Sequence, residues 1–255
     1  MTAKESRATI ERVRRLSSRL QRLDLGVEAS LSRLRPGQSL LARLSEDSWD
    51  PYLAEQWTPV ALNGKTITVE RLADNHYTPG QVVSLLGPVG APYPMRPNLR
   101  NLLLLALDAP PTPLVLLAAL AVRSKIQVTM VLGGSAVEYP LAVLPREVEV
   151  LEGDLEQGWP NQVTTVGWAD QVIAVGHPSY RAQLYPALLR RIHELRAEVP
   201  RRYLLGIFDR PVVCGVGACH GCGVTGKDGA DRLVWTWKKS ASHELAQRHR
   251  PVRPS

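Results

Sequence analysis

The chain has 255 residues, 44% hydrophobic and 22% charged, with three cysteines and a formal net charge of +7. That is length enough for two compact domains with a sizeable core, and the composition excludes disordered, collagenous and disulfide-framed proteins. The charge is uneven, with nine bases and four acids over 1–35, nine and fourteen over 36–189, and thirteen and six over 190–255; without interleaved aromatics or an RNP-like motif, the basic ends read as solvated faces and a tail, and no nucleic-acid partner is expected.

The first residues, Met1 to Arg7, lead into a charged segment instead of an apolar one, so no secretory signal is expected. Residues 9–23 place Ile10, Val13, Leu16, Leu20 and Leu23 at helical spacing, and periodicity alone predicts an amphipathic helix there. From Pro36-Gly37-Gln38 to about Met95 short apolar runs alternate with turn residues: Ser39 to Leu44, Thr66 to Val69 and Val82 to Leu86. This rhythm predicts an antiparallel barrel or sandwich.

Beyond Asn98 the rhythm becomes strand then helix. Leu102 to Leu107 reads as a buried strand, Pro113 to Arg123 as a helix and Gln127 to Leu132 as a second strand closed by Gly133-Gly134. Val148 to Leu151 and Gln171 to Val175 continue the strands, and Tyr180 to Glu198 forms a long amphipathic helix. Alternation of this kind implies a parallel sheet with right-handed crossovers. The longest apolar run, Leu114 to Val122, is too short to span a bilayer, so no membrane association is expected.

All three cysteines fall in Cys214-Gly215-Val216-Gly217-Ala218-Cys219-His220-Gly221-Cys222, the C-x4-C-x2-C run of plant-type 2Fe-2S sites. A tight loop supplies three thiolates to one cluster only if its backbone wraps the cluster, and Gly215, Gly217 and Gly221 permit that wrapping with amides aimed at the sulfides. Such sites take a fourth, distant Cys, and the chain has none. At the usual position the sequence reads Leu233-Val234-Trp235-Thr236-Trp237, so the fourth ligand is open among His220, His243, Asp231, a solvent hydroxide or another chain's thiol. The alternatives are a Cys3His zinc site and three buried thiols. Trp235 and Trp237 read as one strand face covering the module. Clustered thiols without a disulfide framework suit a reducing cytoplasm.

The order of parts, together with Pro36-Gly37-Gln38, Asp50-Pro51-Tyr52-Leu53, Leu86-Gly87-Pro88-Val89-Gly90 and the Cys214–Cys222 run, resembles the ferredoxin-reductase superfamily. Within it the chain resembles the electron-transfer subunit of dihydroorotate dehydrogenase. The resemblance implies a flavin-binding-type β-barrel over 1–96, a degenerate NAD-binding-type α/β domain over 97–205 and a 2Fe-2S-type module over 206–255. It also makes residues 1–30 barrel strands, a reading we follow over the helical period. The implied function is electron transfer between a 2Fe-2S cluster on Cys214, Cys219 and Cys222, an FAD, and a catalytic flavoprotein of the dihydroorotate dehydrogenase type in a hetero-oligomer.

The departures fall where ligands bind. The family's RPFS segment, whose Arg holds the FAD pyrophosphate, aligns with Glu55-Gln56-Trp57-Thr58. The resemblance gives Trp57 the stacking position on the flavin and Thr58 the hydrogen bond near its N5, while Glu55 opposes a diphosphate unless the flavin is FMN or a base such as Arg71 or Arg96 compensates. The Gly-rich phosphate turn of the family is replaced by Asp108-Ala109-Pro110-Pro111-Thr112-Pro113, whose prolines offer no N–H, so NAD is not expected to bind. The alternative reading is a scaffold or regulatory subunit that has lost flavin and NAD and whose Cys loop holds zinc or nothing.

Overall fold

The computed structural model describes residues 4–28, 31–44, 54–179 and 181–208, and the backbone of 223–225, 231–233 and 242–244. The architecture is an antiparallel barrel followed by a parallel α/β sheet, as the order of the parts predicts. Seven strands, β1 (Lys4–Arg15), β2 (Leu20–Gly26), β3 (Ser39–Arg43), β4 (Glu55–Trp57), β5 (Pro59–Asn63), β6 (Thr66–Leu72) and β7 (Val82–Val89), pair in the order β4-β3-β7-β1-β2-β6-β5. The edge strands β4 and β5 are joined through Thr58, so the sheet curls nearly shut around Ile10, Leu23, Leu25, Leu40, Ile67 and Leu85. Burying these side chains contributes about 1.5–3 kcal/mol each.

The helical period of residues 9–23 is overturned here, and the strands implied by the resemblance hold. The cause is local: the register of β1 against β2 slips between Ile10 and Arg12. Ala8 and Ile10 point inward at strand spacing, and the bulge then sets the next apolar residue, Val13, three positions on, which imitates a helix.

The second sheet runs β10 (Glu149–Glu152), β9 (Gln127–Gly133), β8 (Asn101–Leu107), β11 (Gln171–Gly176) and β12 (Leu204–Ile207), all parallel, with β15 (Ser242–Glu244) antiparallel at the edge. Helix α1 (Thr112–Arg123) covers one face, and α2 (Gln162–Trp168) and α3 (Arg181–Leu195) cover the other. The unbroken Leu102–Leu107 run follows from this, since Leu102 and Leu104 pack on the α1 side and Leu103 and Leu105 on the α3 side. A hairpin, β13 (Gly223–Thr225) with β14 (Asp231–Leu233), follows the cysteines. Among the described residues no helix is long and apolar enough to cross a membrane.

Candidate functional site

Two of the motifs that carried the resemblance meet in space. Gly37 sits at φ +94, where a Cβ would lie 2.8 Å from the Tyr93 amide nitrogen, so the turn closes only with glycine. Gln38 spans the gap, its side-chain amide donating to the Gly90 carbonyl at 3.2 Å while its oxygen accepts from the Arg35 amide at 3.0 Å. The Asp50–Leu53 segment lies outside the described residues.

Strand β4 carries the proposed flavin contacts. Trp57 faces Leu40 across the ladder and turns its indole into the barrel interior, fully buried and edge-to-face on Tyr77 at 5.8 Å. Its indole N–H donates to Glu55 Oε2 at 2.9 Å. The same carboxylate oxygen takes the Arg71 guanidinium, whose Nε donates to the Tyr77 hydroxyl at 3.1 Å and whose centre lies 5.6 Å from the Trp57 ring. Thr58, the next residue, is half-buried in the connection between β4 and β5. Of the two residues assigned to a flavin, Trp57 is therefore fully buried inside the barrel and Thr58 is only half-buried. Of the two bases suggested as compensating, Arg71 reaches Glu55, whereas Arg96 donates to the Asp170 carbonyl at 3.1 Å on the α/β sheet.

In an open α/β sheet ligands bind beyond the carboxyl ends of the strands, where the strand order reverses. Here that point lies between β8 and β11. Asp108, directly after β8, holds φ +52, and its carboxylate accepts the Ser135 amide at 3.2 Å. It lies so close over Gly134 that a Cβ there would come within 1.7 Å of Asp108 Oδ1. Pro111 caps α1, with Pro113 in its first turn, as the sequence predicts for a helix start. The loops at this end, 108–111, 134–140, 152–161 and 177–179, contain Asp108, Glu138, Glu152, Asp154 and Glu156 and no Lys or Arg.

Where the barrel meets the α/β sheet, a polar cluster is buried that sequence reasoning missed. Arg22 and Glu70 are cross-strand partners on β2 and β6, with Arg22 Nη2 2.8 Å from Glu70 Oε1 and side-chain exposures of 9% and 1%. Tyr139 donates to the same oxygen at 2.5 Å, and Thr112 donates its hydroxyl to Glu70 Oε2 at 2.7 Å. Burial lowers the Arg22 pKa, but the Glu70 charge and Tyr139 outweigh it and the net shift is upward. Burial first, then the Glu70 charge, raises the Tyr139 hydroxyl far above its usual range. Only the alternation of charged residues inside the strand patterns hinted at this cluster, because nothing local marks a residue covered by a distant helix.

Cys214, Cys219 and Cys222 lie outside the described residues, as do His220, Trp235 and Trp237. The root of their segment is described. β12 ends at Ile207 on the carboxyl side of the sheet, where the Tyr185 hydroxyl donates to the Ile207 carbonyl and its ring meets Phe208 at 5.0 Å. Gly206 makes room, since a Cβ there would lie 2.6 Å from the Tyr185 ring. After the cysteines, Gly223 pairs with Leu233 and Thr225 with Asp231. Asp231 therefore stands at the turn end of the hairpin, away from the strand end next to Cys222, and the backbone of His243 is paired with Gly206 in the large sheet.

No protein-family model matches the sequence, and comparison with curated proteins gives no match. Solved structures do match. The chain is similar to an NADH-dependent reduced ferredoxin-NADP oxidoreductase studied for flavin-based electron bifurcation, at TM-score 0.65 and 17% identity over 89% of this chain and 85% of that one. It is also similar to a ferredoxin NADP+ reductase from Neisseria gonorrhoeae with bound FAD and NADP, at TM-score 0.55 and 13% identity over 80% and 98% of the two chains. A siderophore utilization protein from T. fusca matches at TM-score 0.54 and 19% identity over 84% and 96%. The fold is that of the ferredoxin reductases. At these identities the likeness extends to the fold.

Proposed function

We propose that this chain is an electron-transfer component of an oxidoreductase, carrying electrons through a 2Fe-2S-type cluster on Cys214, Cys219 and Cys222 to a catalytic flavoprotein partner and exchanging no hydride with a dinucleotide itself. The reading rests on one observation above others: the loops at the carboxyl end of the parallel sheet, where a dinucleotide's phosphates would lie, carry five acids and no Lys or Arg, Glu138 alone of them being ion-paired among the described residues, with Arg19 at 2.8 Å, and Asp108 fills the space over Gly134. Two like charges at 4 Å repel by about 4 kcal/mol at an effective dielectric of 20. The cysteine segment is rooted at this same end, so the proposal assigns the end to electron passage instead of phosphate binding. The likeness to an NADH-dependent reduced ferredoxin-NADP oxidoreductase supports the redox setting.

Three thiolates suit a cluster or zinc, and the sequence supplies no fourth. The hairpin register makes Asp231 a poor fourth ligand, leaving His220, His243, solvent hydroxide or a thiol of the partner. A flavin fits the barrel less well. Thr58 is half-buried and can still meet a flavin, but Trp57 reaches one only by leaving the barrel interior, and Arg71 is held by Glu55. That pair favours a second reading, a scaffold subunit without cofactors.

Anaerobic purification with iron, sulfide, zinc and flavin analysis tests these readings. Iron and sulfide in equal amounts, visible absorption that bleaches with dithionite, and loss of both in Cys222→Ser support the cluster. A colourless protein with one zinc, or iron unaltered in Cys222→Ser, overturns it. The absence of both metal and flavin supports the scaffold.

A further inference from the structure

The opposite end of the parallel sheet has the opposite charge. The segments that lead into β10, β9, β8 and β12 carry Arg146, Arg123 with Lys125, Arg100, and Arg201 with Arg202, all exposed. The pairing register sets these positions level: Asn101 faces Gln127, Gln171 faces Leu102 and Val172 faces Leu204. The Gln127 amide donates to the Arg100 carbonyl at 2.8 Å, which locks the two segments side by side. Five adjacent strand starts at about 4.8 Å each span about 19 Å, so the bases leading into β10, β9 and β8 lie one strand apart, within a Debye length of about 8 Å, while β11 separates Arg100 from Arg201 and Arg202 by two strands.

The acids at this end do little to neutralise Arg100, Arg123, Lys125 and Arg146. The Asp170 carboxylate accepts the Arg100 and Asn101 amides, both at 2.9 Å, and Glu149 accepts the Thr129 hydroxyl at 2.8 Å. Among the described residues Arg100, Arg123, Lys125 and Arg146 make no ion pair. Arg196 adds its charge from below, bonded to the carbonyls of Val166, Gly167 and Ala169 at 2.9–3.1 Å.

We infer that this basic amino-terminal rim, formed by Arg100, Arg123, Lys125, Arg146, Arg201 and Arg202, is a docking surface for the acidic face of a partner protein. Charge complementarity of this kind sets orientation and speeds encounter. The occupant is protein and not nucleic acid for two reasons. Exposed Glu147 and Glu198 interrupt the bases, which a mixed protein face can answer and a polyphosphate backbone cannot. Among the described residues the rim offers little ring surface for base stacking, since Tyr203 is buried with the Arg196 guanidinium over its ring at 4.7 Å and Trp168 packs half-buried against the core beneath α2 and α3. Docking here leaves the carboxyl end of the sheet on the far side, and the inference does not depend on what the cysteines hold.

The test uses the full chain and a fluorescein-labelled oligoglutamate peptide, with binding read by anisotropy at low salt. Arg100→Glu/Lys125→Glu/Arg146→Glu should weaken binding about tenfold or more. The control Arg12→Glu/Arg33→Glu/Lys65→Glu places the same charge change on the barrel and should weaken it about twofold or less. Equal losses in the two variants would reduce the rim to net charge alone and overturn the inference. If the glutamate variant shifts the urea midpoint, the Gln triple at the same positions replaces it, with the same comparison. Tighter binding of duplex DNA of matched charge, lost in the rim variant, would make the surface a nucleic-acid site. Salt-sensitive self-association in sedimentation velocity, lost in the same variant, would make the occupant a second copy. Either result overturns the proposal.

Discussion

Glu70 on barrel strand β6 accepts the hydroxyl of Thr112, the first residue of α1, at 2.7 Å. The carboxylate thus lies against the amino end of a helix from the other half of the chain, where its charge is favourable to the helix dipole. Its second oxygen is shared by Arg22 and Tyr139, so one side chain ties the barrel to two segments of the α/β sheet. Replacing Glu70 with Gln leaves Arg22 charged and buried, and should cost about 3–5 kcal/mol in urea unfolding. Arg22→Met/Glu70→Leu removes both charges and should cost less than either single change, because paired burial is expensive chiefly when one partner is missing.

Tyr139 makes this junction sensitive to alkali. Its folded pKa is raised above the unfolded value near 10, so its contribution is complete below about pH 10 and is lost as pH climbs towards the folded value. In that window the unfolded chain binds fewer protons, and stability should fall by up to about 1.4 kcal/mol per pH unit from this group. Tyr203, raised by burial, adds a loss of the same sign. Urea midpoints between about pH 9.5 and 11 should therefore decline less steeply in Tyr139→Phe than in the parent protein. An unchanged slope would mean the hydroxyl is not held as the junction requires.

The order of barrel and α/β sheet was legible because hydrophobic period changes from two to the unbroken runs of parallel strands at Asn98. Residues 9–23 were legible only through the resemblance, since the bulge at Ile10 and Arg12 breaks the alternation where it matters. At the site, Glu55 and Asp108 were visible as wrong-sign charges and Arg71 as one of two candidate bases, but which base reaches Glu55, and the engagement of Asp108 by the Ser135 amide, were not. Those partners are sixteen and twenty-seven residues away, and spacing carries no signal over that range. The Arg22–Glu70 pair escaped for the same reason: a charged pair on an outer strand face reads as solvated until α1 covers it.

Gly134 and Asp108 should behave as a coupled pair. Gly134 holds φ +57 beneath the Asp108 carboxylate. Gly134→Ala meets both backbone strain and a clash, and should destabilise the chain by about 1–3 kcal/mol. In Asp108→Ala the clash is absent, so the second substitution should cost only the strain of positive φ, about 1 kcal/mol. Thermal or urea unfolding of the four members of the cycle measures the difference, and strictly additive effects would show that the carboxylate does not sit over the glycine.

Glu55→Gln tests whether the barrel's own carboxylate keeps a flavin diphosphate away. The pair it forms with Arg71 is partly exposed, so its loss should change stability by only about 1 kcal/mol or less. Its effect on anions should be larger. Without Glu55's charge, Arg71 is freed to offer its guanidinium to a phosphate, and the Trp57 indole N–H keeps only a weaker, neutral amide oxygen as the acceptor that helps hold it inward. Affinity for added FAD, followed by flavin fluorescence, should rise about tenfold, equivalent to about 1.4 kcal/mol and within the range of a single removed like charge. Near-UV circular dichroism should change with it, because Trp57 packs edge-to-face on Tyr77 only while it stays inside the barrel. Arg71→Met in the same background should abolish the gain. A gain that survives without Arg71 would place the flavin phosphates elsewhere and separate the fate of the cofactor from that of the ion pair.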